Sequence, residues 1–430
     1  MTGDALSAGP GSRPPLTRRV AMALYSDLDH DSRVLHEAAS LAAAGHEITV
    51  YCLSYDGPPP EQFKVVSHLP DRTRIVPGVA SPFRQTGSAR LRRIAGRIAW
   101  MRDYLRNLRA WGRWAIEAAG AVDVWHAHDL PGLMAVGPLV SDGVAVVYDS
   151  HEIFLETGTA TRMPWPVRRL LSTYERRLVR RAAALVTVNE AYADVLRRRL
   201  APAAVVIVRN CVPTGAGRST ASTRLRSAAA IPDGAPIVLY HGALTANRGI
   251  EQLVAALQEP GMGEVHLALL GFGDVSLLGL PADGPAGHSR VHVLPAVAPD
   301  DLVDWVTGAD LDAIPLQRSS LNHWLCTPNK LWESIAAGVP VVVSDFPVMR
   351  SIVLDDPGGP LGTVCRPDVP ASVAAAIRSI LELSGPERDE IRDRCRRSAA
   401  ERWNWETEAS RLVALYRTLD GRTGAEPLAR

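Results

Sequence analysis

The sequence predicts an α/β chain of two parallel-sheet, Rossmann-like domains facing each other across a cleft. Three observations lead there. Short apolar runs alternate with amphipathic segments through both halves, and strand–helix–strand repetition is the pattern of a parallel sheet covered on both faces. A polar stretch rich in Gly, Ser and Thr, from about Thr214 to Ser227, separates the two series as a linker. A length of 430 residues is enough for two cores. The expected layout is a loose tail over 1–17, a first domain over 18–213, a linker over 214–230, a second domain over 231–400 and a closing helix over 401–420.

In the first half, residues 20–25 form a short apolar strand, 31–44 an amphipathic helix stopped at Gly45, and 48–53 the next strand. The runs 122–126, 144–148, 184–188 and 205–208 continue the series. Between Arg90 and Arg113, Leu91, Ile94, Ile98, Met101, Leu105 and Leu108 recur at alternating spacings of three and four, one helical stripe. Eight arginines share that segment with one acid, Asp103. It reads either as a helix packed on the first domain with a solvated basic face, or as a surface for an anionic acceptor or an acidic membrane. The second half restarts with strands at 237–240, 265–270, 291–294, 311–314 and 341–344, and a helix from about Gly249. The chain closes with Trp403-Asn-Trp-Glu and a helical run over 412–419.

Apolar content of 47% and a net charge of +1 describe an ordinary globular protein and argue against a disordered or nucleic-acid-coating one. No apolar run approaches the length of a membrane span, and residues 1–17 lack the apolar core of a signal peptide. Five scattered cysteines with no C-x-x-C read as reduced thiols, so a cytoplasmic setting is expected. Lysine occurs only at Lys64 and Lys330, which makes a Lys at 330 notable as a compact point charge.

The most informative stretch runs from Thr327 to Asp345. Thr327 suits an N-cap and Pro328 the first helical position, where no N–H is needed. Amides from Asn329 onward would face an anion that the helix dipole favours, and Lys330 adds a cation in the first turn. Glu333 lies one turn later, before Gly338 and Pro340 stop the helix. A diphosphate at the helix start, with a carboxylate one turn in to hold ribose hydroxyls, is the arrangement a nucleotide-sugar site needs.

This segment resembles the donor-binding signature of family 4 glycosyltransferases, retaining enzymes of the GT-B fold. That family commonly carries Glu, seven residues, Glu. Glu333 matches the second carboxylate, while Leu325 stands at the first, so the chain resembles the Pro-Asn-Lys-Leu-(aromatic)-Glu branch. The resemblance covers about Arg18 to Leu419. It implies that Arg248, in the loop His241-Gly242-Ala-Leu-Thr-Ala-Asn-Arg248-Gly249, grips the diphosphate with Lys330. It implies further that Gly242, Gly271-Phe272-Gly273 and the segment ending at Val297 line the donor. His128, in Trp-His126-Ala-His128-Asp129, matches the family's histidine beside the transferred sugar, with His126 structural. Arg33 and Asp31 in the first loop, Asp129, His151 and Glu152 after the next strand, and Asn322 form the acceptor-or-scaffold set. Two His and an Asp could suggest metal, but no further ligand is evident nearby in the sequence, and no metal or other cofactor is expected.

The expectation is a retaining transfer from a UDP- or GDP-linked sugar to a small-molecule or glycan acceptor, with no nucleic-acid partner. Two rivals stand beside it. A GT-B nucleotide-sugar 2-epimerase would need acid/base carboxylates in the first domain and would turn over donor without acceptor. A catalytically silent GT-B binding protein finds its support in Leu325. A dinucleotide oxidoreductase is disfavoured because no G-x-G-x-x-G opens the first helix.

Overall fold

The structure is a computed structural model describing residues 17–29, 31–70, 89–216, 222–274, 276 and 290–419. The tail expected over 1–17 lies, but for Thr17, outside the described residues, as do 217–221 of the expected linker. So do the side chains of Leu91, Ile94 and Ile98 in the predicted basic stripe, although the helix itself spans Ala89–Ala119.

Thirteen strands form two sheets among the described residues. The first holds β1 (Arg19–Leu24), β2 (Glu47–Cys52), β3 (Lys64–Ser67), β4 (Val124–His128), β5 (Ala145–Ser150), β6 (Ala184–Thr187) and β7 (Val205–Ile207), in the order β3-β2-β1-β4-β5-β6-β7. The second holds β8 (Ile237–Ala243), β9 (His266–Phe272), β10 (Val291–Pro295), β11 (Leu311–Ile314), β12 (Val341–Ser344) and β13 (Gly362–Cys365), in the order β10-β9-β8-β11-β12-β13. The strand pairs are parallel, as between β1 and β4 and between β8 and β11. The order of each sheet reverses once, between β1 and β4 and between β8 and β11, the doubly wound arrangement. Contacts divide the chain into two compact units. One holds residues up to Tyr148 with Arg181–Ala183 and the chain from Leu412; the other holds Asp149–Arg180 and Ala184–Arg411.

Central strands such as β4, β11 and β12 are buried on both faces, as apolar parallel strands must be. Val341, Val342 and Val343 of β12 are fully covered. In the second unit Leu253, Leu267, Leu269 and Ile377 pack one core layer, and Leu331, Trp332, Ile335 and Val353 another. In the first unit Met22, Leu41, Leu108 and Trp111 are buried to 1% exposure or less. Each such side chain contributes about 1.5–3 kcal/mol by leaving water.

Several expected boundaries move, with physical reasons. The strand expected over 122–126 is Val124–His128, because His126 and His128 are themselves buried strand residues. Thr327 is not the N-cap. The helix is Asn329–Ala336, Pro328 holds the cap position, and no side chain caps it. Part of the expected linker is helical over Arg224–Ala228, where Leu225 is fully buried. The helix expected over 31–44 spans Ser32–Ala43, and Asp31 caps it by accepting from the Val34 amide at 3.2 Å.

Candidate functional site

The second sheet reverses between β8 and β11, and ligands of such sheets sit beyond the carboxyl ends of the strands at that reversal. Three pieces of chain meet there. β8 delivers Tyr240, His241 and Gly242, β11 delivers Asp312, and the helix Asn329–Ala336 delivers Lys330, Glu333 and Ser334. The turn after β8 is held by Gly249 at φ +81°, where an added Cβ would lie 2.0 Å from the Pro315 carbonyl oxygen. Gly271 is as constrained: its Cβ would fall 1.8 Å from the Gly242 oxygen.

His241 organises the polar part of the site. Its Nε2 lies 2.8 Å from Glu333 Oε2, and its Nδ1 3.4 Å from Asp312 Oδ2. Ser334 Oγ donates to the same Asp312 oxygen at 2.7 Å. His241 is 1% exposed, and Asp312 and Ser334 are fully buried. Burial opposes a charge on the imidazole, yet Asp312 and Glu333 outweigh it and push the pKa up to about 9. At neutral pH the ring is therefore an imidazolium that donates to Glu333. The Glu333 side chain remains 23% exposed, so it meets solvent as well as His241.

Lys330 stands against this cluster. It is 9% exposed, and its ammonium lies 3.4 Å above the centroid of the Tyr240 ring, a cation–π contact. Among the described residues Nζ has no hydrogen-bond partner. Burial pushes its pKa down to about 7; Asp312 and Glu333 hold it up, and the positive charge of Arg248 drives it lower. The positive charge of Arg248 also lowers the pKa of Tyr240, His323 and Cys326, so its field reaches the same site. A Cβ on Gly242, at φ +99°, would lie 3.7 Å from Lys330 Nζ. The sequence expected a cation in the first turn; the structure holds it buried. Two cations, an uncapped helix start and a half-open carboxylate can together receive a polyanion carrying hydroxyls.

The other expected donor residues distribute around this centre. Asn329 is exposed and Pro328 half-buried at the helix start, and Phe272 is 63% exposed at the end of β9. Val297 packs against the layer of Leu239 and Leu270. Thr327 is buried, 3.4 Å from Asn189 Nδ2, which donates at 3.0 Å to the carbonyl of Leu325. Leu325 itself is buried. Asn322 bridges within the same unit: its Oδ1 accepts from the Ile153 amide at 3.0 Å, and its carbonyl from the Tyr192 hydroxyl at 2.8 Å.

The expected residues of the first half form separate clusters. His126 and His128 stack at 4.7 Å and 10° on β4, and both are buried. The Tyr416 hydroxyl lies 2.8 Å from His126 Nδ1, and Glu37 Oε2 lies 3.5 Å from Nε2. Arg33, expected in the first loop, is buried in an ion pair with Glu37 at 2.9 Å. Glu37, His126 and His128 bring metal-ligand atoms within 4.8 Å of one another, which corrects the expectation of no third ligand nearby. Asp129 takes φ +53° at the start of the helix Asp129–Val136. His151 Nε2 meets Asp149 Oδ2 at 3.0 Å, and Glu152 is exposed with its carbonyl accepting from Ser150 Oγ.

His241, Asp312 and Tyr240 were not expected in the site. A signal was present: an aspartate inside a four-residue apolar strand, Leu311-Asp312-Ala313-Ile314, needs a buried partner.

Comparison with known proteins now bears on this geometry. Residues 31–211 match the model of the glycosyl transferase 4-like domain, and residues 235–383 that of glycosyl transferases group 1. The chain belongs to the GT-B glycosyltransferases. It is 30% identical over 203 residues to a D-inositol 3-phosphate glycosyltransferase of Xylanimonas cellulosilytica, a match spanning 46% of either chain. It is 24% identical over 402 residues, 89% of each chain, to a glycogen synthase of Mycobacterium tuberculosis. The solved catalytic domain of starch synthase IV from Arabidopsis thaliana, bound to ADP and acarbose, superposes with a TM-score of 0.66 at 12% identity, covering 95% of this chain and all of that one. No described helix of this glycosyltransferase is long and apolar enough to cross a membrane.

Proposed function

We propose that this GT-B protein is a retaining glycosyltransferase that moves a sugar from a nucleoside-diphosphate donor to a small-molecule or glycan acceptor. One observation carries the reading. Lys330 is a buried ammonium with no hydrogen-bond partner among the described residues, set at an uncapped helix start and coupled to Arg248. Such a cation is unfavourable until an anion arrives, so the site is built for one.

In this reading Lys330, Arg248 and the helix amides receive the diphosphate. Charge accumulates there as the bond to the anomeric carbon breaks, and fixed donors stabilise that charge without reorganising. Glu333 turns toward the ribose hydroxyls while the His241 imidazolium fixes its other side. The acceptor attacks from the face the diphosphate leaves, hydrogen-bonded to the departing phosphate, so no enzyme nucleophile is needed. Lys330 and Arg248 supply positive charge without a metal ion. UDP or GDP forms the expected donor class, and a phosphorylated or polyol acceptor is consistent with the relatives' names.

The test has two steps. Nucleoside diphosphates and their sugars are screened by thermal shift, and Lys330→Ala should remove most of the shift that wild type shows. Product NMR with the active donor should then show the donor's anomeric configuration. An inverted product, or a nucleotide shift untouched in both Lys330→Ala and Arg248→Ala, would refute the reading. Donor turnover without acceptor would transfer it to a 2-epimerase.

A further inference from the structure

The helix Trp165–Val179 presents an unusual outward face. Its covered side holds Glu175, Leu178 and Val179. Its exposed side carries Trp165, Arg169, Arg176 and, just past the helix end, Arg180, at spacings that keep them on one face, with Leu170 and Arg177 alongside. Trp165 and Leu170 are each 70% exposed, and no large apolar side chain among the described residues is more so. The Arg169 guanidinium sits 5.6 Å over the Trp165 ring. No acid lies on this face; the helix's one carboxylate, Glu175, is 4% exposed on the other side. Arg168 is turned away and donates to Leu155 and Glu156. In a chain of net charge +1, this concentration is local.

We propose that this face docks on an anionic lipid surface, with Trp165 and Leu170 entering the headgroup boundary and the four arginines pairing with lipid phosphates. Charge complementarity sets the sign of the partner. The apolar residues set its kind. A lipid interface accepts an indole, a leucine and the aliphatic stems of arginine together. A nucleic acid would use the cations and the indole but leave Leu170 in water.

The experiment is co-sedimentation with phosphatidylcholine vesicles, with and without phosphatidylglycerol, followed by quenching of tryptophan fluorescence by brominated lipid. Binding should require phosphatidylglycerol and fall with added salt. Arg176→Gln and Arg177→Gln should each weaken it about fivefold, as expected for an arginine near an anionic surface. Leu170→Ser should weaken it too, and Trp165→Phe should remove much of the quenching. All four sites are at the surface, so melting temperature and nucleotide-induced shift should match wild type, which separates this result from any failure of the donor-site reading. Absence of sedimentation with phosphatidylglycerol vesicles overturns the proposal. So does quenching unchanged in Trp165→Phe, which would move the contact to another helix, or binding of single-stranded nucleic acid without vesicle binding.

Discussion

Replacing Lys330 with Met should make the empty protein more stable and the liganded one weaker. The ammonium has a pKa near 7 against an ordinary 10.5. Each pKa unit is about 1.4 kcal/mol, so holding the charge in the fold costs about 5 kcal/mol at and below neutral pH, as an upper bound. The contact with Tyr240 returns about 0.5–2 kcal/mol of it. Methionine fills similar volume without charge, so a net gain of about 3 kcal/mol is expected near pH 7. The pH dependence checks the sign. A lowered lysine pKa makes the folded state release its proton first, so its cost fades and stability rises from about pH 7 toward 10.5. His241 works oppositely: with a pKa raised from 6.5 to about 9, its contribution is complete below 6.5 and lost by about 9. In Lys330→Met only the His241 slope remains, so stability should fall with pH across that window. Denaturant unfolding from pH 6 to 10 measures this, and calorimetry measures nucleotide affinity. One lost charge-assisted bond of about 1.5–3 kcal/mol should lower affinity roughly tenfold to a hundredfold. A variant less stable than wild type at pH 7, or with full nucleotide affinity, would refute the reasoning.

Other outcomes follow from the same geometry. Glu333→Gln should weaken nucleotide binding about tenfold or more and lower the His241 pKa, read by NMR titration, because one of the two carboxylates that raise it is gone. Wild-type nucleotide affinity should decline as pH rises above about 7, where Lys330 loses its proton, and this decline should be absent in Lys330→Met. Gly271→Ala should destabilise by about 1–3 kcal/mol in denaturant titration, since its Cβ would overlap the Gly242 carbonyl at 1.8 Å.

Runs such as Leu311–Ile314 and Val341–Ser344 were legible as strands to the residue, because a strand buried on both faces is mostly apolar even where it carries a partnered polar residue such as Asp312 or Ser344. β3 and β13 were not, since Lys64-Val-Val-Ser and Gly362-Thr-Val-Cys are short and mixed in polarity. The helix that bears Lys330 and Glu333 was legible from its stops and its Pro, but its cap was displaced by one residue. The environment of Lys330 was not legible, because burial depends on Tyr240 and Asp312, distant in sequence and brought near by sheet order. Arg33 differs: its partner Glu37 stands one turn along the same expected helix, so that pair was present in the sequence although Arg33 was read as a loop cation. Local pattern encodes elements; it encodes a site only where the partners share an element.

The bond from the Ile153 amide to Asn322 Oδ1 has a consequence for measurement. That amide is shielded only while the short helix Leu321–Leu325 keeps its place, and this helix leads directly into Thr327 and the anion-facing turn. Its rate of proton exchange with solvent is thus a clock on that turn, placed where no nucleotide need touch it. The Tyr192 hydroxyl on the Asn322 carbonyl offers a second reading from the same residue, so concerted slowing at both would mark the segment tightening as one body.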